Sequence, residues 1–367
     1  MQFAMGRDEL LKGVGIVAGV VERRQTRPIL SHVLITTTGK EVTVTGSDLE
    51  IEMVVKLQAT GAVEGAVTVP GRKLLDILRA LPAGGEVVMA VEGERVRLTS
   101  GRSRFQLGTL PAEDFPNLTE TAWEMQFAVE RGLLRRIIEK TQFCMAQQDV
   151  RYYLNGVMFE TLPGSLKAVA ADGHRLALCE VAIPDAQVVE RQVIVPRKGI
   201  GELVRFLGSE EGAVEVAISG NHIRVRQDNV VFTSKLIDGR FPDYHRVVPS
   251  EVAQTVALPR EPFREMLARV GVVASEKFRG IRLTFKDRTV VASASNPERD
   301  EASEEMDLTA EVPELEVGFN VGYILEAMGA IEGEIAEFGW NDNNSGCRLK
   351  PGGGDGTLVY VVMPMRL

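Results

Sequence analysis

Aromatic residues make up only 6% of this 367-residue chain, and just two of them are Trp. Its cores must therefore rest on Leu, Val, Ile and Ala. Histidine is scarce as well, with four residues. His32, His222 and His245 have no metal-like spacing with one another or with the cysteines, so no metal site is expected. The three cysteines, Cys144, Cys179 and Cys347, are odd in number and far apart. That excludes a disulfide framework and points to a reducing compartment. No apolar run approaches the roughly 20 residues that span a bilayer. The opening MQFAMGRDELLKG carries charges where a signal peptide would have an unbroken apolar core. A cytoplasmic protein is the expectation. A catalytic set is also lacking. Asp172, His174 and Arg175 cluster in sequence, but no Ser or Cys motif supplies a nucleophile for them to activate. Neither catalysis nor a cofactor is expected.

What is present is ordinary for a soluble globular protein: 44% hydrophobic and 25% charged residues. The length calls for two or three domains. Net charge is −9, which taken globally argues against a nucleic-acid partner, so the distribution of charge has to decide.

The chain repeats itself three times. FAMGRDELLKGVGIVAGVV from Phe3, FAVERGLLRRIIEKTQFCM from Phe127 and ALPREPFREMLARVGVVAS from Ala257 each read as a short strand, a charged turn and an amphipathic helix, at offsets of 124 and 130 residues. A second helix recurs as VPGRKLLDILRAL from Val69, VPRKGIGELVRFL from Val195 and FNVGYILEAMGAI from Phe319. A strand followed by a loop recurs from Thr43, Ala168 and Val290, and each unit ends on an apolar strand leading to proline. Three homologous domains follow, 1–120, 121–250 and 251–367. Leu74, Leu75, Leu78 and Leu81 form a stripe opposite Arg72, Asp76 and Arg79; Ile200, Leu203, Val204 and Leu207 repeat it, as do Phe263, Met266, Leu267 and Val270 in the third unit's first helix. Alternating strands fill most of the rest, so the fold class is α+β, with two helices on antiparallel sheets in each domain. Gly352–Gly356 lacks the Lys-Ser/Thr of a phosphate loop and reads as a hairpin turn.

The predicted helices carry more bases than acids on their outward positions, including Lys12, Arg72, Lys73, Arg79, Arg135, Arg136, Lys140, Arg197, Lys198, Arg205, Arg264 and Arg269. The sixth helix carries only Glu326. Helices sharing one surface would give an acidic protein a basic face able to track phosphates without sequence preference.

Long stretches then carry a family resemblance: SGRSRFQLGTLPAEDFPNL from Ser100, QDVRYYLNG from Gln148, DGHRLAL from Asp172, TSKLIDGRFPDY from Thr233, SEKFRG from Ser275 and the terminal YVVMPMRL. Over essentially its whole length the chain resembles the bacterial DNA sliding clamps, the beta subunits of DNA polymerase III. The resemblance implies a head-to-tail homodimer forming a six-domain ring around duplex DNA, with helices lining the hole. It implies DNA contacts at Arg24, Arg72, Gln148, Tyr152 and Tyr153, and the basic helix starts add Lys73, Arg197 and Lys198. Gln and Tyr can bond the backbone or stack on bases, although either tyrosine can instead pack in an interface.

The resemblance also implies a pocket for short linear motifs of the polymerase III catalytic subunit, the clamp loader, other polymerases and repair proteins. Its residues would be Leu154, Gly173, His174, Arg175, Leu176, Pro242, Arg246, Val247, Asn320, Tyr323, Val361, Met363, Pro364, Met365 and Arg366. Apolar side chains with adaptable Met make a groove, and Arg and His at its rim can fix a peptide backbone. Ala171 departs from the family's usual Thr. For the ring seam, Arg102 and Arg104 face Glu298, Glu301 and Glu304, with Phe105 and Leu107 packing on Val272 and Val273. The competing reading is a clamp-derived scaffold that binds peptides without encircling DNA.

Overall fold

The computed structural model describes residues 1–21, 27–118, 122–184, 188–209, 211–275, 279–354 and 357–366. They form two compact units, residues 1–132 with 198–236, and residues 133–197 with 237–367. The second repeat thus contributes to both. Six α-helices occur among the described residues: α1 Arg7–Val17, α2 Gly71–Ala80, α3 Arg131–Glu139, α4 Arg197–Leu207, α5 Arg260–Val270 and α6 Val321–Ala330.

The first unit holds a five-stranded and an eight-stranded antiparallel sheet. The larger one crosses from the first repeat to the second where Val230–Lys235 pairs with Ile51–Gln58, Val230 opposite Val55 and Ser234 opposite Ile51. Helices α1 and α2 pack on each other, and α1 lies on the Ile51–Gln58 strand. Two glycines permit that approach. A Cβ on Gly13 would come within 2.8 Å of Leu57, and one on Gly46 within 2.6 Å of Val17.

The second unit repeats the plan. Its eight-stranded sheet crosses from the second repeat to the third where Leu358–Val362 pairs with Arg175–Ala182. Beside it runs a long hairpin, Gly280–Ser295 with Glu301–Asn320, on which α5 packs. The scarce aromatics concentrate here. Phe285, Phe319, Phe338 and Trp340 are all buried, with the Phe285 and Phe338 rings 5.3 Å apart and Phe319 meeting Phe338 edge-on at 6.0 Å.

The helix stripes fall where periodicity placed them. Leu74, Leu75 and Leu78 are buried in α2, Ile200, Leu203 and Leu207 in α4, and Phe263, Met266, Leu267 and Val270 in α5. Val204 is half-buried, and Leu81 is buried just past the end of α2. The expected charged turn between first strand and first helix does not exist, because the strands run straight into the helices and the charges form the first helical turn. No side chain caps α1, α2 or α5.

An arginine at the first helical position does a different job, three times over. Arg7 donates from Nε to Leu78 O (2.6 Å) and from Nη2 to Arg79 O (3.0 Å), at the end of α2. Arg131 reaches Leu207 O and Phe206 O (3.0 Å), at the end of α4. Arg260 reaches Gly333 O (2.8 Å) and Met328 O (3.4 Å), at and beyond the end of α6. Each guanidinium thus meets the negative end of its sister helix and satisfies carbonyls that have no helical partner. Aligned on these arginines, the second offset is 129 residues, from Arg131 to Arg260, one fewer than the sequence match gives.

Gly352–Gly354 lies between the paired strands Cys347–Pro351 and Leu358–Val362, so that stretch belongs to a hairpin. Asp355 and Gly356 lie outside the described residues.

Candidate functional site

The expected pocket residues lie within the second unit, around a turn opened by Asp172. Its Oδ1 accepts from His174 N (2.9 Å) and Arg175 N (3.0 Å). This turn requires φ near 90° at Gly173, where a Cβ would also meet the Arg151 guanidinium at 2.8 Å. The last strand zips onto the turn, Met363 N donating to His174 O (2.8 Å), and Met365 N continues to Gly318 O (2.8 Å).

Beneath the turn is an apolar floor. Leu154, Leu176 and Val361 are buried with Met158, Val169, Leu178, Ile194, Phe241 and Tyr244, and Tyr153, Ala171 and Val248 pack against them. Above the floor, Pro242, Val247 and Met363 are exposed, the last two at 43% and 38%. Pro364 and Met365 are half-buried and Arg366 is exposed. His174 stacks on Tyr323 with ring centroids 6.3 Å apart. Arg246 is exposed and pairs with Asp243 (3.1 Å).

Two of the expected pocket residues also hold the fold together. The Arg175 side chain is only 10% exposed. It binds Asp172 (3.1 Å), Glu326 and Phe143 O (2.7 Å), and lies over the Tyr323 ring at 4.4 Å. Its guanidinium is thus bonded to three groups of its own chain. Asn320 Oδ1 caps α6 by accepting from Gly322 N (2.9 Å). Sequence reasoning missed Phe143 and Glu326 as members of this network. Glu326 was visible as the sole charge of its helix.

The loop before Leu154 is tied by side-chain bonds. Asn155 accepts from Asp149 N (3.0 Å) and donates to Asp149 O (2.9 Å). Arg151 clasps the Asp149 carboxylate with two bonds, and that side-chain bonding holds its pKa down at about 2. Gln148 adopts φ 54° and is exposed at this loop, with Val150 at 95% and Tyr152 at 55% exposure. The two tyrosines divide: Tyr153 packs on the apolar floor, and Tyr152 faces outward, edge-on to it at 5.7 Å.

Of the other candidate DNA contacts, Arg24 lies outside the described residues. Arg72, Lys73, Arg197 and Lys198 are exposed at the starts of α2 and α4. Among the described residues, Lys12, Arg72, Lys73 and Arg197 carry no ion pair. Arg72 donates to Val21 O (3.1 Å) and Arg197 to Met145 O (3.3 Å). Lys198 is paired with buried Asp48 at 2.5 Å. Much of the remaining helix charge is balanced locally, Arg135 by Glu139, Arg136 and Lys140 by Glu332, Arg205 by Glu202 and Arg264 by Glu261.

For the seam, Arg102 is exposed in the turn before the edge strand Ser103–Gly108, Arg104 is exposed on that strand and Phe105 is half-buried. Leu107 is only 5% exposed and packs in its own core. Val272 is 82% exposed and Val273 half-buried. Glu298 and Glu301 are exposed, whereas Glu304 is held by Arg269 through two bonds, 2.7 and 3.0 Å. Among the described residues no group of His, Cys, Asp and Glu is placed to hold a metal ion, and no helix is long and apolar enough to cross a membrane.

Three family descriptions match the chain in succession: the DNA polymerase III beta subunit N-terminal domain over residues 1–119, its central domain over 128–243 and its C-terminal domain over 245–366. The beta sliding clamps of Pseudomonas putida and Escherichia coli are 46% and 43% identical to it, with all of each chain covered. Among solved structures, the DNA polymerase III subunit beta of Pseudomonas aeruginosa matches with a TM-score of 0.97 at 44% identity. A beta sliding clamp of Caulobacter crescentus matches at 0.95 and 37%, again with full coverage of both chains. The three repeats, the sheets that join them and these full-length likenesses agree: the chain belongs to the DNA polymerase III beta-subunit family, the beta sliding clamps, non-catalytic processivity factors of DNA replication.

Proposed function

We propose that two copies of this chain, each of three domains with boundaries near residues 120 and 250, join head to tail in a ring around duplex DNA. The ring tethers the catalytic subunit of polymerase III, and it receives the clamp loader, other polymerases and repair proteins at one pocket per chain. The observation that carries this reading is the full-length likeness to beta sliding clamps through all three repeats. Arg72, Lys73 and Arg197 supply phosphate contacts, joined by Arg24, Gln148 and Tyr152, while Lys198 acts with its charge shared with Asp48. Grip on DNA is then topological, with a modest basic lining, and a net charge of −9 is compatible with it. The cytoplasm is where such a protein works.

Retention on DNA tests the ring against the non-encircling scaffold. After loading, the protein is expected to stay on closed circles and to be lost within seconds to minutes once they are linearised. Equal loss from both forms would refute encirclement.

A further inference from the structure

The two junctions at which one repeat's sheet passes into the next share a plan. In the first unit Asp48 Oδ1 accepts from Glu50 N (2.9 Å) and Ile51 N (2.6 Å), as Asp172 does from His174 and Arg175 in the second. The next residue has positive φ in both, 79° at Leu49 and 90° at Gly173. The following repeat's last strand docks identically, Lys235 N to Glu50 O and Met363 N to His174 O, both 2.8 Å. Glu52 faces Thr233 across the strands where Leu176 faces Val361. Register therefore places Glu52 where the pocket has Leu176, Thr233 where it has Val361, and Lys235 where it has Met363.

The chemistry of the matching positions is opposite. Leu176 and Val361 belong to the apolar floor. In the first unit the same place holds a half-buried carboxylate, Glu52, whose Oε2 accepts from Leu118 N (3.0 Å), beside the buried Thr233 hydroxyl. Burial already pushes the Glu52 pKa up, and the half-buried carboxylate depends on the water it still keeps. Two ion pairs fasten the turn, Lys198 to Asp48 (2.5 Å) and Lys235 to Glu50 (3.4 Å). Glu202 sits on α4 where Glu326 sits on α6, but it pairs with Arg205 of its own helix because Ile51 replaces Arg175.

We infer that the first junction is a polar counterpart of the peptide pocket, and that Glu52, Thr233 and Lys235 are the specificity-determining residues that deny it apolar peptides and limit the chain to one peptide site. An apolar anchor seated there would strip a carboxylate and a hydroxyl of water without offering either a hydrogen bond, a penalty of roughly 100-fold or more in affinity. The inference rests on the pocket reading above, and its test separates the two.

A dye-labelled synthetic peptide copied from the C-terminus of the host's replicative polymerase is titrated with the full-length protein. Carrying the polar pair into the pocket, Leu176→Glu with Val361→Thr, is expected to weaken binding roughly 100-fold. Adding Glu52→Leu, Thr233→Val and Lys235→Met to that protein is expected to restore at least about tenfold of it, with a photo-crosslinking peptide labelling the first unit. If the first variant binds like wild type, the pocket reading falls and the inference with it. If the first loses binding and the second regains none, the pocket stands and the inference is overturned. Should the five-substitution protein not fold, Glu52→Met with Lys235→Met in the wild-type background decides the question. Peptide per chain rises from one to two if the inference holds and stays at one if it does not.

Discussion

Arg131 is 5% exposed and spends its guanidinium on the last carbonyls of α4. Arg131→Ala leaves at least two buried acceptors unpaired, each costing about 1–3 kcal/mol, so a loss of about 3 kcal/mol is expected. A urea melt should show the midpoint falling at unchanged slope. An unmoved midpoint would mean that water reaches those carbonyls. Arg7 is more exposed at the same position, so Arg7→Ala should cost less. These arginines are legible in the sequence as repeated letters after each first strand. Their partners are not, because 68 to 76 residues separate donor from acceptor and no local pattern records the link. Arg175 shows the same limit from the other side. Its place in the turn was readable from DGHRLAL, but its bonds to Phe143 and Glu326 depend on strand order, which no local pattern records.

At the scale of elements, helix stripes were legible because burial imposes a 3.6-residue period on them. Sheet order was not, since Ile51–Gln58 meets Val230–Lys235 across more than 170 residues. The C-terminal strand makes the consequence testable. All five residues of Leu358–Val362 are buried, and the strand lies between Arg175–Ala182 and Cys347–Pro351. Ending the chain after Val362 keeps the strand and removes the Met363 and Met365 backbone bonds. That costs about 1 kcal/mol each, a few degrees of thermal stability, together with peptide binding. Ending it after Thr357 removes the strand and opens two unpaired edges inside the sheet, so the second unit should lose its cooperative transition in calorimetry. A full-sized transition in the shorter protein would show that the strand is dispensable, contrary to its central place.

For the whole molecule, the sequence placed opposite charge blocks in the first and third repeats, and side-chain placement sharpens which residues remain available for a seam. Leu107 serves its own core and Glu304 serves Arg269, which leaves Phe105, Val272 and Val273 as apolar contacts and Glu298 and Glu301 as partners for Arg102 and Arg104. Exposed charge pairs steer encounter and are screened by salt, so cohesion has to come from the apolar contacts. Val272 touches little of its own chain at 82% exposure. Val272→Asp should therefore leave the monomer nearly as stable and Val273→Asp should cost it only modestly, while together they place carboxylates against Phe105 in the apolar part of the contact. At about 3 kcal/mol per seam, and with two seams in a closed dimer, the association constant falls by about 10,000-fold. Sedimentation at micromolar concentration should then find monomers, and loaded protein should leave circular DNA as fast as linear. Leu107→Asp is the contrasting control, since it should unfold the first unit and not merely separate the copies. If the valine variant sediments as a dimer, the seam lies elsewhere on the chain.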